Sequence, residues 1–201
     1  MEADKYYHIF NRTNGSELLF KSDENFNYFL RQYTKYINPI AKTYAYCLLP
    51  NHFHLVVQIK AEEELNSFFK DKLIKSQKSL ESLIIQQFSN LFNSYTQAFN
   101  KMHARSGSLF SPNFKKKNID SVEYLRQVIV YVHLNPMLHG FNVNFEKYKF
   151  STYQSLLSIG KTNLNRIEVI ELFDDLENFK FVHNRKKVKV DLLKSIIDED
   201  I

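Results

Sequence analysis

Hydrophobic and polar residues in this chain repeat in two rhythms. Period-two alternation marks short strands, and spacings of three and four mark amphipathic helices. From Tyr6 to Arg12 the residues Tyr7, Ile9 and Asn11 fall on one side, with His8 and Phe10 on the other, which predicts a first strand. Thr13-Asn14-Gly15-Ser16 is a turn signal. Ser22 is a plausible N-cap for a helix over residues 22–37, where Phe26, Phe29, Leu30, Tyr33 and Ile37 share a face until Asn38-Pro39 ends it. Residues 41–49 read as a second strand, with Tyr44 and Tyr46 facing opposite to Ala45 and Cys47. After the Pro50-Asn51 break, a third strand runs to about Lys60, and the short gap predicts an antiparallel hairpin. Residues 61–79 look like a connection with partial helix, and Leu80, Ile84, Phe88, Leu91, Tyr95 and Phe99 then define a long amphipathic helix. Residues 108–119 read as a fourth strand with a basic edge. Asp120 with Glu123 forms a capping-box pattern for a helix over 121–135 that Pro136 terminates.

That order, strand-helix-strand-strand-helix-strand, is the split βαβ pattern of a ferredoxin-like α+β fold. Its antiparallel sheet carries helices on one face and leaves the other free for a site. The third strand puts Phe53, Leu55, Val57 and Ile59 toward the helices, so His52 and His54 project together onto the open face. A His-x-His pair on a strand is a two-nitrogen clamp for a divalent metal. The competing reading is two histidines that merely begin a strand.

Composition narrows the class. The chain has 201 residues, 44% hydrophobic and 15% aromatic, enough for one domain with a sizeable core. A formal charge of +5 is permissive for nucleic acid. With a single cysteine, Cys47, in an apolar run, no internal disulfide is possible, and the residue reads as core in a reducing compartment. The polar, acidic start is unlike a signal peptide, and no apolar run is long enough to span a bilayer. A cytoplasmic location is expected. Beyond Gly140 the pattern weakens to short helical stretches and the basic run Arg185-Lys186-Lys187, a C-terminal extension over 158–201 after a domain over 1–157.

The 121–135 helix has two unlike faces. At 100° per residue, Val122, Leu125, Ile129 and Val132 cluster as a core stripe, while Tyr124, Gln127, Tyr131 and Asn135 cluster opposite. Tyr131 and Asn135 are neighbours one turn apart, and His133 points nearly away from Tyr131. A polar face on an exposed helix is ordinary. A tyrosine followed one turn later by an oxygen ligand, downstream of a His-x-His strand, is not.

Leu49-Pro50-Asn51-His52-Phe53-His54-Leu55 resembles the His-hydrophobic-His motif of single-tyrosine HUH transposases. Tyr131-Val132-His133-Leu134-Asn135-Pro136 resembles their Tyr-Ile-His-x-Asn-Pro signature, and the REP-associated tyrosine transposases are the nearest group. Tyr7-His8-Ile9-Phe10-Asn11-Arg12, Gly107-Ser108-Leu109-Phe110 with Phe114-Lys115, and Phe150-Ser151-Thr152-Tyr153 are similar to further family segments in the same order. The resemblance runs from about Tyr6 to Leu157 and leaves out the last forty or so residues.

The resemblance implies that His52, His54 and Asn135 hold one divalent cation, Mg or Mn, which polarises a scissile phosphate. Tyr131 would attack to give a 5′-phosphotyrosine and a free 3′-OH that can rejoin strands. Single-stranded or hairpin DNA would be the substrate. Tyr124, about 10 Å along the helix from Tyr131, fits DNA stacking or packing better than a second nucleophile. Arg12, Gln127, Arg105, Lys115, Lys116 and Lys117 are candidates for following the DNA, each with solvated surface as its plain alternative. Three rivals stay open: a replication-type HUH nickase, a domesticated DNA-binding protein without cleavage, and a metal-dependent hydrolase using water. Related transposases act as monomers or as homodimers that exchange the tyrosine helix.

Overall fold

Side-chain alternation sorts the strand residues onto two faces of one sheet, and the helices cover both. The computed structural model describes residues 1–139 and 144–187. Strands β1 (Tyr6–Arg12), β2 (Ala41–Leu49), β3 (His52–Ile59) and β4 (Lys115–Ile119) form an antiparallel sheet in the order β2-β3-β1-β4, the ferredoxin-like arrangement. Helices α1 (Asp23–Tyr36), α2 (Glu62–Lys75) and α3 (Leu80–Met102) lie on one face. There Tyr7, Ile9, Phe53, Leu55, Val57 and Ile59 meet Phe26, Phe29, Tyr33, Phe88, Leu91, Tyr95 and Phe99. Ser22 occupies the α1 N-cap position as expected. The Ser79 hydroxyl caps α3 by accepting from the Ser82 amide.

The second face is not open. Helix α4 (Val122–Leu138) packs across β2 and β3, with α5 (Tyr153–Leu157), α6 (Arg166–Glu171) and α7 (Leu176–Lys187) outside it. Tyr44, Ala45, Cys47, Leu49 and Val56 form a second core with Ile129, Val132, Leu134, Phe145, Tyr153, Val169, Phe173 and Phe179. His52 and His54 therefore lie under α4, and the expectation of an exposed pair is corrected. The run Leu55-Val56-Val57, apolar on both faces, is what a sheet covered on both sides requires.

Four further expectations change. Thr43 pairs with Val57 and Ala45 with Val56, so Tyr44 is the extra residue of a β-bulge. The bulge turns Tyr44 toward the same core as Ala45 and Cys47, while Tyr46 goes to the opposite one. Ser121, not Asp120, caps α4, its hydroxyl accepting from the Tyr124 amide. Pro136 lies inside α4, which continues to Leu138; the only bond it removes is the one to the Val132 carbonyl, and tertiary packing carries the helix past it. Val122 is exposed, whereas Tyr131 and Asn135 are fully buried. A helix apolar nearly all round has no solvent stripe to offer. Cys47 is buried, its thiol pushed up by burial, as fits a core residue. The side chains of Lys186 and Lys187, and the end of the C-terminal extension, fall outside the described residues.

His133, buried on the far side of α4 from the Tyr131 site, ties the outer helices together. His183 Nδ1–H donates to the Phe179 carbonyl at 2.7 Å, leaving Nε2 to accept from His133 Nδ1–H at 2.9 Å. His133 Nε2 then accepts from the Thr152 hydroxyl at 2.8 Å, whose oxygen accepts from the Tyr46 amide at 3.0 Å. Both imidazoles must be neutral for this chain of bonds. Burial holds His133 well below its ordinary value and His183 down to about 4. Below pH 6.5 the unfolded chain takes up protons that the folded one refuses. Stability should be flat above about pH 6.5 and fall on acidification by up to about 1.4 kcal/mol per pH unit for each such histidine. Urea midpoints between pH 7.5 and 5 test this, and a midpoint independent of pH would contradict it.

Candidate active site

The site forms where β1, β3 and the C-terminal half of α4 meet. His52 is the first residue of β3 and 5% exposed; His54 is fully buried. His52 Nδ1–H donates to the Asn51 side-chain oxygen at 2.8 Å. Its Nε2 lone pair therefore faces Asn135 Oδ1 at 3.0 Å, a second acceptor, while Asn135 Nδ2 is buried without a hydrogen-bond partner. His54 Nε2 is likewise buried and unbonded. Tyr131 packs edge-on against His54 with ring centroids 5.4 Å apart, and against His8 at 6.1 Å.

A residue that sequence reasoning missed joins this group. His139, the exposed C-cap of α4, lies with its ring 4.4 Å from that of His52. His52, His54 and His139 offer ligand atoms all within 4.8 Å of one another, so the three could hold a metal ion. The signal was available: Tyr131, Asn135 and His139 fall at i, i+4 and i+8, one stripe of a helix that continues through Pro136. Reading Pro136 as a terminator hid it.

The donors suit a divalent cation. Two acceptors 3.0 Å apart are spaced as neighbouring ligands about 2.1 Å from a shared ion, and the unbonded, buried His54 Nε2 is costly without one. Burial, with the charge of His139, pushes His52 down to about 4. Burial, then His8, His52 and His139, holds His54 well below the usual imidazole range. Both are thus neutral at pH 7, the form that carries a free lone pair.

The remaining candidates separate. Arg12 is exposed and lines, with Asn14, Asn51, His52 and His139, a cavity of about 370 Å³. Lys115 lines an adjoining one of about 160 Å³ with Phe10, His52, His54 and Asn113. Register puts Lys115 opposite Phe10 and Lys117 opposite His8 on the site face, and Lys116 opposite Ile9 on the other. Arg105 is engaged by Glu17 at 2.8 Å and by the Ser108 carbonyl at 3.0 Å, within its own loop. Tyr124 is half-buried against the second core. Gln127 lines a small cavity with Arg126, Phe173 and Val182, between α4 and α7. No helix among the described residues is long and apolar enough to cross a membrane.

No family model matches the chain. No curated protein matches it either. Among solved structures, the chain is similar to a REP-associated tyrosine transposase bound to a REP hairpin, at 16% identity and a TM-score of 0.55, over 79% of this chain and 82% of that one. That likeness, over most of both chains, establishes that the two share a fold.

Proposed function

We propose that this protein is a metal-dependent DNA strand transferase that cleaves and rejoins single-stranded or hairpin DNA through a phosphotyrosine. One observation carries the reading: a single stripe of α4 brings Tyr131 against His54 and Asn135 against His52, beside a cavity edged by Arg12. The similar structure is a transposase bound to a DNA hairpin, which supports the substrate class. His52, His54 and Asn135, with His139 at the rim, would hold the cation. When bound it supplies positive charge beside the scissile phosphate. Imidazole nitrogens outnumber oxygens in this set, which favours Mn over Mg.

Tyr131 Oη attacks phosphorus, the P–O3′ bond breaks, and the tyrosine keeps the 5′-phosphate while a 3′-OH leaves. Reversal by that or another 3′-OH rejoins strands without ATP. Because Tyr131 is fully buried in the described state, its ring must turn toward the cavity before it attacks. Arg12 and Lys115 are placed to hold phosphates, and Lys117 extends the same basic edge. Tyr124 acts in packing. Residues 1–157 form the catalytic unit, and the helices after it buttress α4. Tyr131 meets histidines of its own chain, an arrangement in which a monomer suffices.

Incubation with a single-stranded hairpin and Mn²⁺, followed by a denaturing gel, tests the proposal. A covalent protein–DNA band is expected. The burial of Tyr131 favours one second reading, in which water attacks and DNA is cut without an adduct. Affinity for hairpin DNA should also fall with salt, at a log–log slope near −0.7 per phosphate contacted. Equal binding to perfect duplex at matched salt would count against a single-strand substrate.

A further inference from the structure

His8 sits on β1 beside His54. Phe10 is the register partner of His54 and Val56 that of His8, so the two imidazoles are diagonal neighbours on one face of the sheet. Their rings stack at 5.1 Å with 20° between planes, and Phe10 stacks on His54 at 5.7 Å. His8 Nε2 lies 3.0 Å from His54 Nδ1, and both residues are fully buried.

Two neutral imidazoles can share that contact in two ways. If His8 Nε2–H donates, His54 must carry its own proton on Nε2. That puts an N–H without an acceptor on the nitrogen facing away from His8, where a ligand lone pair is needed; the opposite arrangement puts the one orphaned N–H on His8 Nδ1 instead, away from the cation site. If His54 Nδ1–H donates, His54 Nε2 bears a bare lone pair and can join His52 and His139 as a ligand. Only the second arrangement lets His54 bind a cation.

We propose that His8 is a positioning residue for the cation site: it accepts the Nδ1–H of His54 and so fixes the tautomer and aim of that ligand. The inference rests on the proposed role of His54 as a ligand. A bond of this kind behind a metal-bound imidazole typically controls affinity by 10–100-fold. Phe10 restrains the ring by stacking but offers no acceptor, so the tautomer depends on His8.

Long-range ¹H–¹⁵N correlation of the metal-free protein reads the tautomer directly. His54 is expected protonated at Nδ1 and bare at Nε2. Mn²⁺ titration followed by electron paramagnetic resonance reads the consequence. His8→Leu, which has no acceptor, should bind Mn²⁺ about 10–100-fold more weakly. His8→Gln, whose amide oxygen can accept the same proton, should bind close to wild type. Circular dichroism reports whether each variant is folded. Wild-type affinity in folded His8→Leu, or equal weakening in both variants, overturns the proposal, since packing alone would then explain the residue. So does a wild-type His54 protonated at Nε2, a result that holds even if His8→Leu fails to fold. Wild-type protein that binds no Mn²⁺ overturns this inference together with the metal reading of the site, whereas the other outcomes leave that reading intact.

Discussion

Tyr131→Phe is expected to bind hairpin DNA but to form no covalent adduct and to cut nothing. The substitution removes one oxygen and keeps the ring that packs edge-on against His54 and His8. Stability should change by about 1 kcal/mol, the scale of one hydrogen bond. Losing an attacking atom is a loss of another order: about 10⁴-fold or more in rate, as for other nucleophiles. Tyr124→Phe, altering a half-buried packing residue, should keep the adduct. An adduct formed by Tyr131→Phe would make Tyr124 the first alternative nucleophile. Cleavage by Tyr131→Phe without an adduct would establish water as the nucleophile and a hydrolase as the function.

The second large effect is expected at the ligands. Chelation of wild-type protein with EDTA, and His54→Ala, should each abolish cleavage, and the variant should lose Mn²⁺ binding by more than about 100-fold. His54→Ala also carries a stability cost. Because His54 is fully buried and stacked between His8 and Phe10, truncation leaves a cavity, with a loss on the order of 2–4 kcal/mol. His54→Gln, nearer in volume, separates the two effects: it should remain folded and still bind metal weakly. Full activity in EDTA would remove the metal from the mechanism. His52→Ala, at the cavity edge, should lose metal with a smaller stability cost.

The element boundaries that were legible in the sequence are those governed by local rules. β1 and β2 begin and end where alternation and Pro50 placed them. Ser22 and Ile37 bound α1: Ser22 takes the extended N-cap backbone without a side-chain capping bond, and the Asn-Pro stop after Ile37 acts over one turn. The pairing of His52 with His54, and of Tyr131 with Asn135, followed from periods of 2 and 3.6 alone. Apolar residues on both sides of β2 and β3 (Ala45, Cys47, Leu49 and Val56 on the histidine side) already indicated a covered face, but an alternation argument weighs only the stronger face.

What the sequence by itself determined was the order of strands and helices, hence the ferredoxin-like sheet, and which residues of β1 and β3 share a face. These depend on covalent geometry and on contacts a few residues apart. Only the tertiary structure decided that α4 closes over His52 and His54, that Pro136 stays within a helix, that Tyr44 bulges into the second core, and that His139 and His8 stand beside the ligands. Each depends on groups brought together across the chain, where burial outweighs local preference: packing on the sheet stabilises α4 by more than a proline's lost hydrogen bond costs it.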